Sequence, residues 1–122
     1  MIHAELRSLT STDVPNDLST FLPKNPAVFH LVVSAVVGAS DDPRGGDLFS
    51  FHVCTGEWLV ENPPPKGFEF MRHYLRLERW DYDVLVRAIS DLCLRTEAED
   101  WPEVATRLGR FGAWEFEDYR DV

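Results

Sequence analysis

Apolar side chains recur at every second position in several parts of the chain, which is the period of a half-buried β-strand. Residues 2–7 alternate in this way, and residues 28–37 are rich in the β-branched side chains typical of a central strand. Residues 47–54 alternate again after a glycine-rich turn, so the second and third segments are expected to form a hairpin. Residues 70–80 alternate more weakly and predict a fourth strand.

The period then changes to that of an amphipathic helix. Asp81 is the expected N-cap of a first helix, whose apolar stripe consists of Leu85, Ala88, Ile89 and Leu92. Asp100 has capping-box spacing to Glu103 and is expected to open a second helix that Gly112 closes in the left-handed conformation. The apolar residues that this second helix is expected to bury are Trp101, Val104, Ala105, Leu108 and Phe111.

Strands followed by helices predict an α+β fold. We expect an antiparallel sheet of about four strands, made of the N-terminal strands and the central hairpin, followed by two C-terminal helices packed on one face. Because 122 residues suffice for one hydrophobic core, residues 1–122 are expected to form a single domain.

The tail "WEFEDY" alternates aromatic residues with acids, which predicts a strand-like segment with two different sides. The inner side is expected to carry Trp114, Phe116 and Asp118. The outer side is expected to carry Glu115, Glu117 and Tyr119. We expect the first two aromatic rings to be buried and the two glutamates to face outward.

The charge balance is strongly acidic, since 21 Asp and Glu residues against 12 Lys and Arg residues give a formal net charge of −9. Such a surface repels phosphate, which argues against nucleic acid and anionic membranes as partners. It suits a basic protein, although an acidic balance also serves solubility alone. The sequence shows no signal peptide, no membrane-spanning apolar run and no disulfide framework, so we expect a cytoplasmic protein.

The hairpin also raises a chemical hypothesis. If Gly38 lies opposite Gly46, His30 pairs with Cys54, and His52 lies on the same face. Two imidazoles and a thiol could bind zinc or act as nucleophile and base, so a small metal-dependent or cysteine/histidine enzyme is one alternative. No CxxC or HExxH spacing supplies further ligands, and we predict no catalytic residue, metal or cofactor. A self-associating structural module with an exposed sheet edge is another alternative.

The order of several motifs is informative over nearly the whole chain. A first strand is followed by Asp-Val, and a hairpin with a glycine-rich turn leads into F-x-V-C-T-x-E-W-L. Further along, one helix begins with Tyr-Asp. A second helix begins with Asp-Trp and runs into "WEFEDY". The carriers are Asp13 and Val14, residues 49–55, Glu57, Trp58 and Leu59, Tyr82 and Asp83, Asp100 and Trp101, and residues 114–119. This order resembles the immunity protein 8 family of bacterial polymorphic toxin (contact-dependent inhibition) systems. Gly56 departs from the pattern, at a corner where we expect proline or another residue.

The resemblance implies a cytoplasmic immunity protein that binds a cognate toxin domain and occludes its active or substrate-binding surface without catalysis. The toxin is expected to be basic, and the immunity protein to be a monomer or a weak homodimer. Tight inhibitors place aromatic anchors among polar contacts. The candidate toxin-binding residues are therefore acids and their aromatic neighbours, namely Glu57, Trp58, Glu97, Glu99, Asp100, Glu103, Glu115, Glu117, Asp118 and Tyr119.

Overall fold

The computed structural model describes residues 1–117. Its strands are β1 (Ile2–Thr10), β2 (His30–Ala39), β3 (Asp47–Thr55), β4 (Tyr74–Leu77), β5 (Glu97–Ala98) and β6 (Ala113–Trp114). Its helices are α1 (Gly56–Glu61), α2 (Tyr82–Arg95) and α3 (Trp101–Leu108), and a short 3₁₀ turn covers Leu18–Thr20. Within the described residues, no helix is both long and apolar enough to cross a bilayer. The α+β class is confirmed, with more strands and one more helix than the sequence predicts.

The strands form one sheet in the order β4–β3–β2–β1–β5, and β6 lies beside the first part of β3. Neighbouring strands are antiparallel except β4, which runs parallel to β3. The expectation of an entirely antiparallel sheet is therefore wrong at this strand. The reason is that α1 and residues 62–73 carry the chain back along the sheet, so that β4 starts in the same direction as β3.

The central hairpin of β2 and β3 has the predicted register. Val32 lies opposite His52, and His30 lies opposite Cys54. Consecutive side chains of each strand point to opposite faces of the sheet. The hairpin therefore sends its large apolar residues to one face and its two histidines to the other.

The hydrophobic core lies between the apolar face of the sheet and the helices α2 and α3. The hairpin contributes Leu31, Val33, Ala35, Val37, Phe49, Phe51 and Val53. The two helices contribute Leu85, Ile89, Cys93, Val104, Ala105 and Leu108. The helix α1, which the sequence does not predict, contributes no buried residue to this core and packs Trp58 against His30 instead.

Both predicted N-caps are confirmed. The Asp81 carboxylate accepts a hydrogen bond from the backbone N–H of Val84 at 3.2 Å, and the Asp100 carboxylate accepts one from the backbone N–H of Glu103 at 3.1 Å. Each bond satisfies a donor that the first turn of a helix would otherwise leave unpaired.

The end of α3 differs from the prediction. The helix stops at Leu108, so Gly112 does not close it in the left-handed conformation. Gly112 is needed for space instead, because a Cβ at this position would lie 2.6 Å from the Phe51 ring. The expectation that Phe111 is buried is also wrong, since this side chain lies beyond the helix and is 53% exposed.

The fourth strand and the tail are both shorter than predicted. The strand β4 begins only after His73, whose φ of 66° interrupts the extended backbone. The tail is a strand only at Ala113–Trp114 and then turns, so Phe116 is 42% exposed rather than buried. Asp118 and Tyr119, the remaining predicted tail residues, lie outside the described residues.

Candidate functional site

A groove lined by acids lies between the β2–β3 turn and the start of α3, and we call it the acidic groove. It has a volume of about 370 Å³. Its carboxylates belong to Asp41, Asp42, Asp47, Glu99 and Asp100, and Arg44 also lines it. A concave surface of this charge is suited to a basic group of a partner.

Arg7 holds the turn that forms one wall of the acidic groove. Its guanidinium donates hydrogen bonds of 2.6–3.0 Å to three backbone carbonyl oxygens, those of Ala39, Asp42 and Gly45. The guanidinium fits there because Gly38 has no side chain, since a Cβ at that position would lie 2.6 Å from it. The acids of this wall therefore belong to a turn that is tied to β1.

Asp47 ties the same turn to the C-terminal part of the fold. One oxygen of its carboxylate, Oδ2, accepts hydrogen bonds from the indole N–H groups of Trp101 at 2.9 Å and Trp114 at 3.0 Å. Trp101 is the first residue of α3 and Trp114 is the last residue of β6. A single carboxylate thus positions both elements against the hairpin. No local sequence pattern indicates this cluster, because Trp101 and Trp114 are 54 and 67 residues away from Asp47.

Four predicted contact residues lie at β5 and the start of α3, namely Glu97, Glu99, Asp100 and Glu103. Asp100 caps α3, and Glu103 forms an ion pair with Arg107 at 2.8 Å. Glu99 is exposed and makes no side-chain hydrogen bond or ion pair within residues 1–117. The same is true of Asp41, which the sequence analysis did not select. Glu99 and Asp41 are therefore the acids of the groove that are most available to a partner.

The carboxylate of Asp42, unlike those of Asp41 and Glu99, is hydrogen-bonded within the protein. Hydrogen bonds from the side chain and backbone of Arg44 lower the pKa of its carboxyl below the ordinary value. The same interaction, with N–O distance 3.1 Å, raises the pKa of Arg44. Both groups are charged at neutral pH, and their charges largely compensate each other.

Glu57 and Trp58 lie in α1, at the opposite end of the hairpin from the acidic groove. Thr55 caps this helix by accepting a hydrogen bond from the backbone N–H of Trp58 at 3.3 Å. Glu57 is exposed, whereas Trp58 is half-buried and stacks on His30 with ring centroids 4.5 Å apart. The structure therefore does not bring these two predicted residues together with the acids of the groove.

The two tail glutamates are exposed, as expected, but both are engaged within the protein. Glu115 accepts a hydrogen bond from the backbone N–H of Leu48 at 2.8 Å. Glu117 forms an ion pair with Arg72 at 2.7 Å. A toxin would have to compete with these contacts, and the role of both residues in binding stays a prediction.

His30, His52 and Cys54 lie on one face of the sheet, as predicted. The Nε2 of His30 and the Nδ1 of His52 are hydrogen-bonded at 3.0 Å, and burial together with the neighbouring imidazole lowers the pKa of His30. The Cys54 thiol is buried, and burial raises its pKa, which disfavours the nucleophilic thiolate. Within residues 1–117, no group of three or more His, Cys, Asp or Glu side chains is arranged to hold a metal ion. No observation at this site favours the enzyme hypothesis.

Comparison with known proteins gives one family match. The family model described as Immunity protein 8 matches residues 4–119, which is nearly the whole chain. No curated protein and no solved structure gives a significant match. The match confirms the resemblance that the order of sequence motifs indicates.

Proposed function

Because this chain belongs to the immunity protein 8 family, we propose that it binds a cognate bacterial toxin domain and neutralises it without catalysis. The family match over residues 4–119 is the observation that carries this proposal. In this proposal, the protein covers the active or substrate-binding surface of the toxin. Covering that surface requires complementary shape and charge rather than reacting groups. The protein acts in the cytoplasm, as a monomer or a weak homodimer.

The charge of the chain supports a basic toxin as the partner. A formal net charge of −9 attracts a basic surface and accelerates the encounter through long-range electrostatics. The same charge makes nucleic acid and anionic membranes poor partners. A toxin that acts on a polyanion such as nucleic acid needs a basic substrate surface, and an acidic protein can occupy that surface.

We assign the main toxin contact to the acidic groove. Its two available acids, Asp41 and Glu99, lie on opposite walls, the first on the β2–β3 turn and the second beside the N-cap of α3. Both walls are held in place by internal hydrogen bonds, so little side-chain and loop ordering opposes binding. The tail glutamates are weaker candidates, because they already have partners inside the protein.

The strands at the sheet edges support the proposed monomer or weak homodimer. The edge strand β5 has two residues, and β4 at the other edge has four. These two short strands offer few free backbone groups, which favours a monomer, whereas β5 pairs with only Ile2 and His3 of β1 and leaves room for a weak contact along the rest of β1.

The proposed function is tested by survival of bacteria that express the toxin domain encoded immediately upstream. Co-expression of the wild-type protein is expected to restore growth. The double variant Asp41→Lys/Glu99→Lys is expected to protect poorly, because two attractive contacts become repulsive and affinity falls at least about tenfold. Death of cells that contain the folded wild-type protein would refute toxin neutralisation.

A matched control separates the groove from net charge. The double variant Glu78→Lys/Asp91→Lys changes two exposed acids outside the acidic groove and alters the net charge by the same amount. It is expected to protect as well as the wild type. Equal loss of protection in both double variants would show that overall charge, rather than the acidic groove, determines binding.

A further inference from the structure

We propose that a pocket between α1, residues 62–73 and β4 binds an arginine side chain of the partner, an inference that rests on the toxin-binding function proposed above. We call it the aromatic pocket, and its lining includes Trp58, Asn62, Pro64, Glu69, Met71 and Tyr74. Its volume is about 150 Å³. This is smaller than the roughly 300–1,000 Å³ of small-molecule sites and suits one long side chain.

The two aromatic residues that line the pocket each stack on a histidine. Trp58 stacks on His30 at 4.5 Å between centroids, and Tyr74 stacks on His52 at 4.6 Å. The centroids of His30 and Tyr74 are 6.3 Å apart, so the four rings curve instead of forming a straight column. Neither histidine lines the pocket. Trp58 and Tyr74 therefore line the pocket as rings that each stack on a histidine within the protein.

The pocket combines these rings with one carboxylate. Glu69 is exposed, and its Oε1 is 3.5 Å from the Tyr74 hydroxyl, a long hydrogen bond that leaves the carboxylate able to pair with a cation. Trp and Tyr rings attract cations through their electron-rich faces. A planar guanidinium can stack on a ring while two parallel N–H groups bond to a carboxylate, whereas an ammonium has no planar face and no fixed pair of parallel donors. These groups therefore favour arginine over lysine.

Trp58 differs from the other tryptophans in its polar contacts. The indole N–H of Trp80 donates to the Phe21 carbonyl oxygen, and those of Trp101 and Trp114 donate to Asp47. The indole N–H of Trp58 makes no hydrogen bond within residues 1–117. A half-buried tryptophan with a free donor is typical of the anchors that dominate protein interfaces.

The direct test is an NMR titration of the ¹⁵N-labelled protein with Nα-acetyl-arginine methylamide. The control ligand is the citrulline analogue, which has the same shape and no charge. The arginine compound is expected to shift the indole N–H signal of Trp58 progressively, with a dissociation constant at least about tenfold lower than that of citrulline. Equal shifts with the two compounds, or no shift at Trp58, would overturn the proposal.

Two variants test whether the shift of the Trp58 signal arises from arginine binding in the aromatic pocket. Glu69→Gln removes the carboxylate at an exposed site and is expected to weaken arginine binding several-fold. Asp91→Asn removes an equal charge from α2, outside the pocket, and is expected to leave binding unchanged. Unchanged binding in Glu69→Gln would overturn the proposed role of the pocket.

The toxin itself separates this inference from the proposed function. If the wild type binds the toxin and Glu69→Gln binds it several-fold more weakly, both hold. If Glu69→Gln binds the toxin as tightly as the wild type, the aromatic pocket is not a toxin contact and the proposed function stands. If the wild type does not bind the toxin, the proposed function fails, whatever the arginine titration shows.

Discussion

Asp47 provides a stringent test of how the acidic groove is built. Its Oδ2 receives the indole N–H groups of Trp101 and Trp114 at 2.9 and 3.0 Å. Replacement by alanine leaves both donors without their acceptor. A hydrogen bond to a charged group contributes about 1.5–3 kcal/mol. Both indoles are only partly buried, so water can replace part of the lost hydrogen bonding. We therefore expect Asp47→Ala to lower the free energy of unfolding by about 3 kcal/mol.

The matched variant Asp47→Asn keeps an oxygen acceptor of the same shape and loses only the charge. It is expected to cost about 1 kcal/mol. The exposed acid Asp41 serves as a control, and Asp41→Ala is expected to change stability by less than about 0.5 kcal/mol.

The assay for these variants is urea unfolding followed by tryptophan fluorescence and circular dichroism. For a domain of this size, 3 kcal/mol corresponds to a decrease in Tm of about 10 °C. An Asp47→Ala protein within about 0.5 kcal/mol of the wild type would refute the shared-carboxylate arrangement. An Asp47→Asn protein as unstable as the Asp47→Ala protein would also refute this arrangement.

Further results are expected for two glycines and for His30. Gly112→Ala places a methyl group against the Phe51 ring and should cost about 2 kcal/mol in urea unfolding. Gly56→Ala should leave stability unchanged or slightly raised, because its new Cβ would meet one side-chain carbon at 3.7 Å. Similar losses of stability in the two glycine variants would contradict the close contact between Gly112 and the Phe51 ring. Burial and the neighbouring imidazole lower the pKa of His30 in the folded protein. The unfolded chain therefore binds more protons at this residue, and the free energy of unfolding should fall as the pH decreases below about 6.5. His30→Gln should flatten the dependence of Tm on pH between about 7.5 and 5.5, and an unchanged slope would contradict this origin.

The parts of the fold that the sequence predicts correctly depend on local signals. The hairpin register follows from strand alternation and from the glycines of the turn, where Gly45 and Gly46 adopt φ values of 59° and 145°. The two helix starts follow from Asp81 and Asp100, because a cap bonds to a backbone N–H three residues further on.

The errors concern elements that are determined by distant contacts. The parallel direction of β4 depends on the path of residues 62–73, and the weak alternation of residues 70–80 does not indicate in which direction that strand runs. Phe111 and Phe116 are exposed because the chain turns near each of them, and their hydrophobicity alone does not reveal this.

The acidic groove illustrates the same limit for the functional site. Sequence reasoning selects Glu99 and Asp100 as contact candidates, but it does not select Asp41, which lies in the hairpin turn. The two sides meet because Asp47 reaches across to Trp101 at the start of α3. No pattern within either segment indicates that they lie together.

Calorimetric titration of the purified toxin domain into this protein tests the central claim most directly. We expect a 1:1 complex with a nanomolar dissociation constant, because immunity must outcompete the substrate of the toxin. The affinity is expected to fall as salt is raised, since opposite charges drive the encounter. No detectable binding at micromolar concentrations, with an active toxin domain and a folded immunity protein, would contradict the claim that this protein neutralises its toxin by binding it.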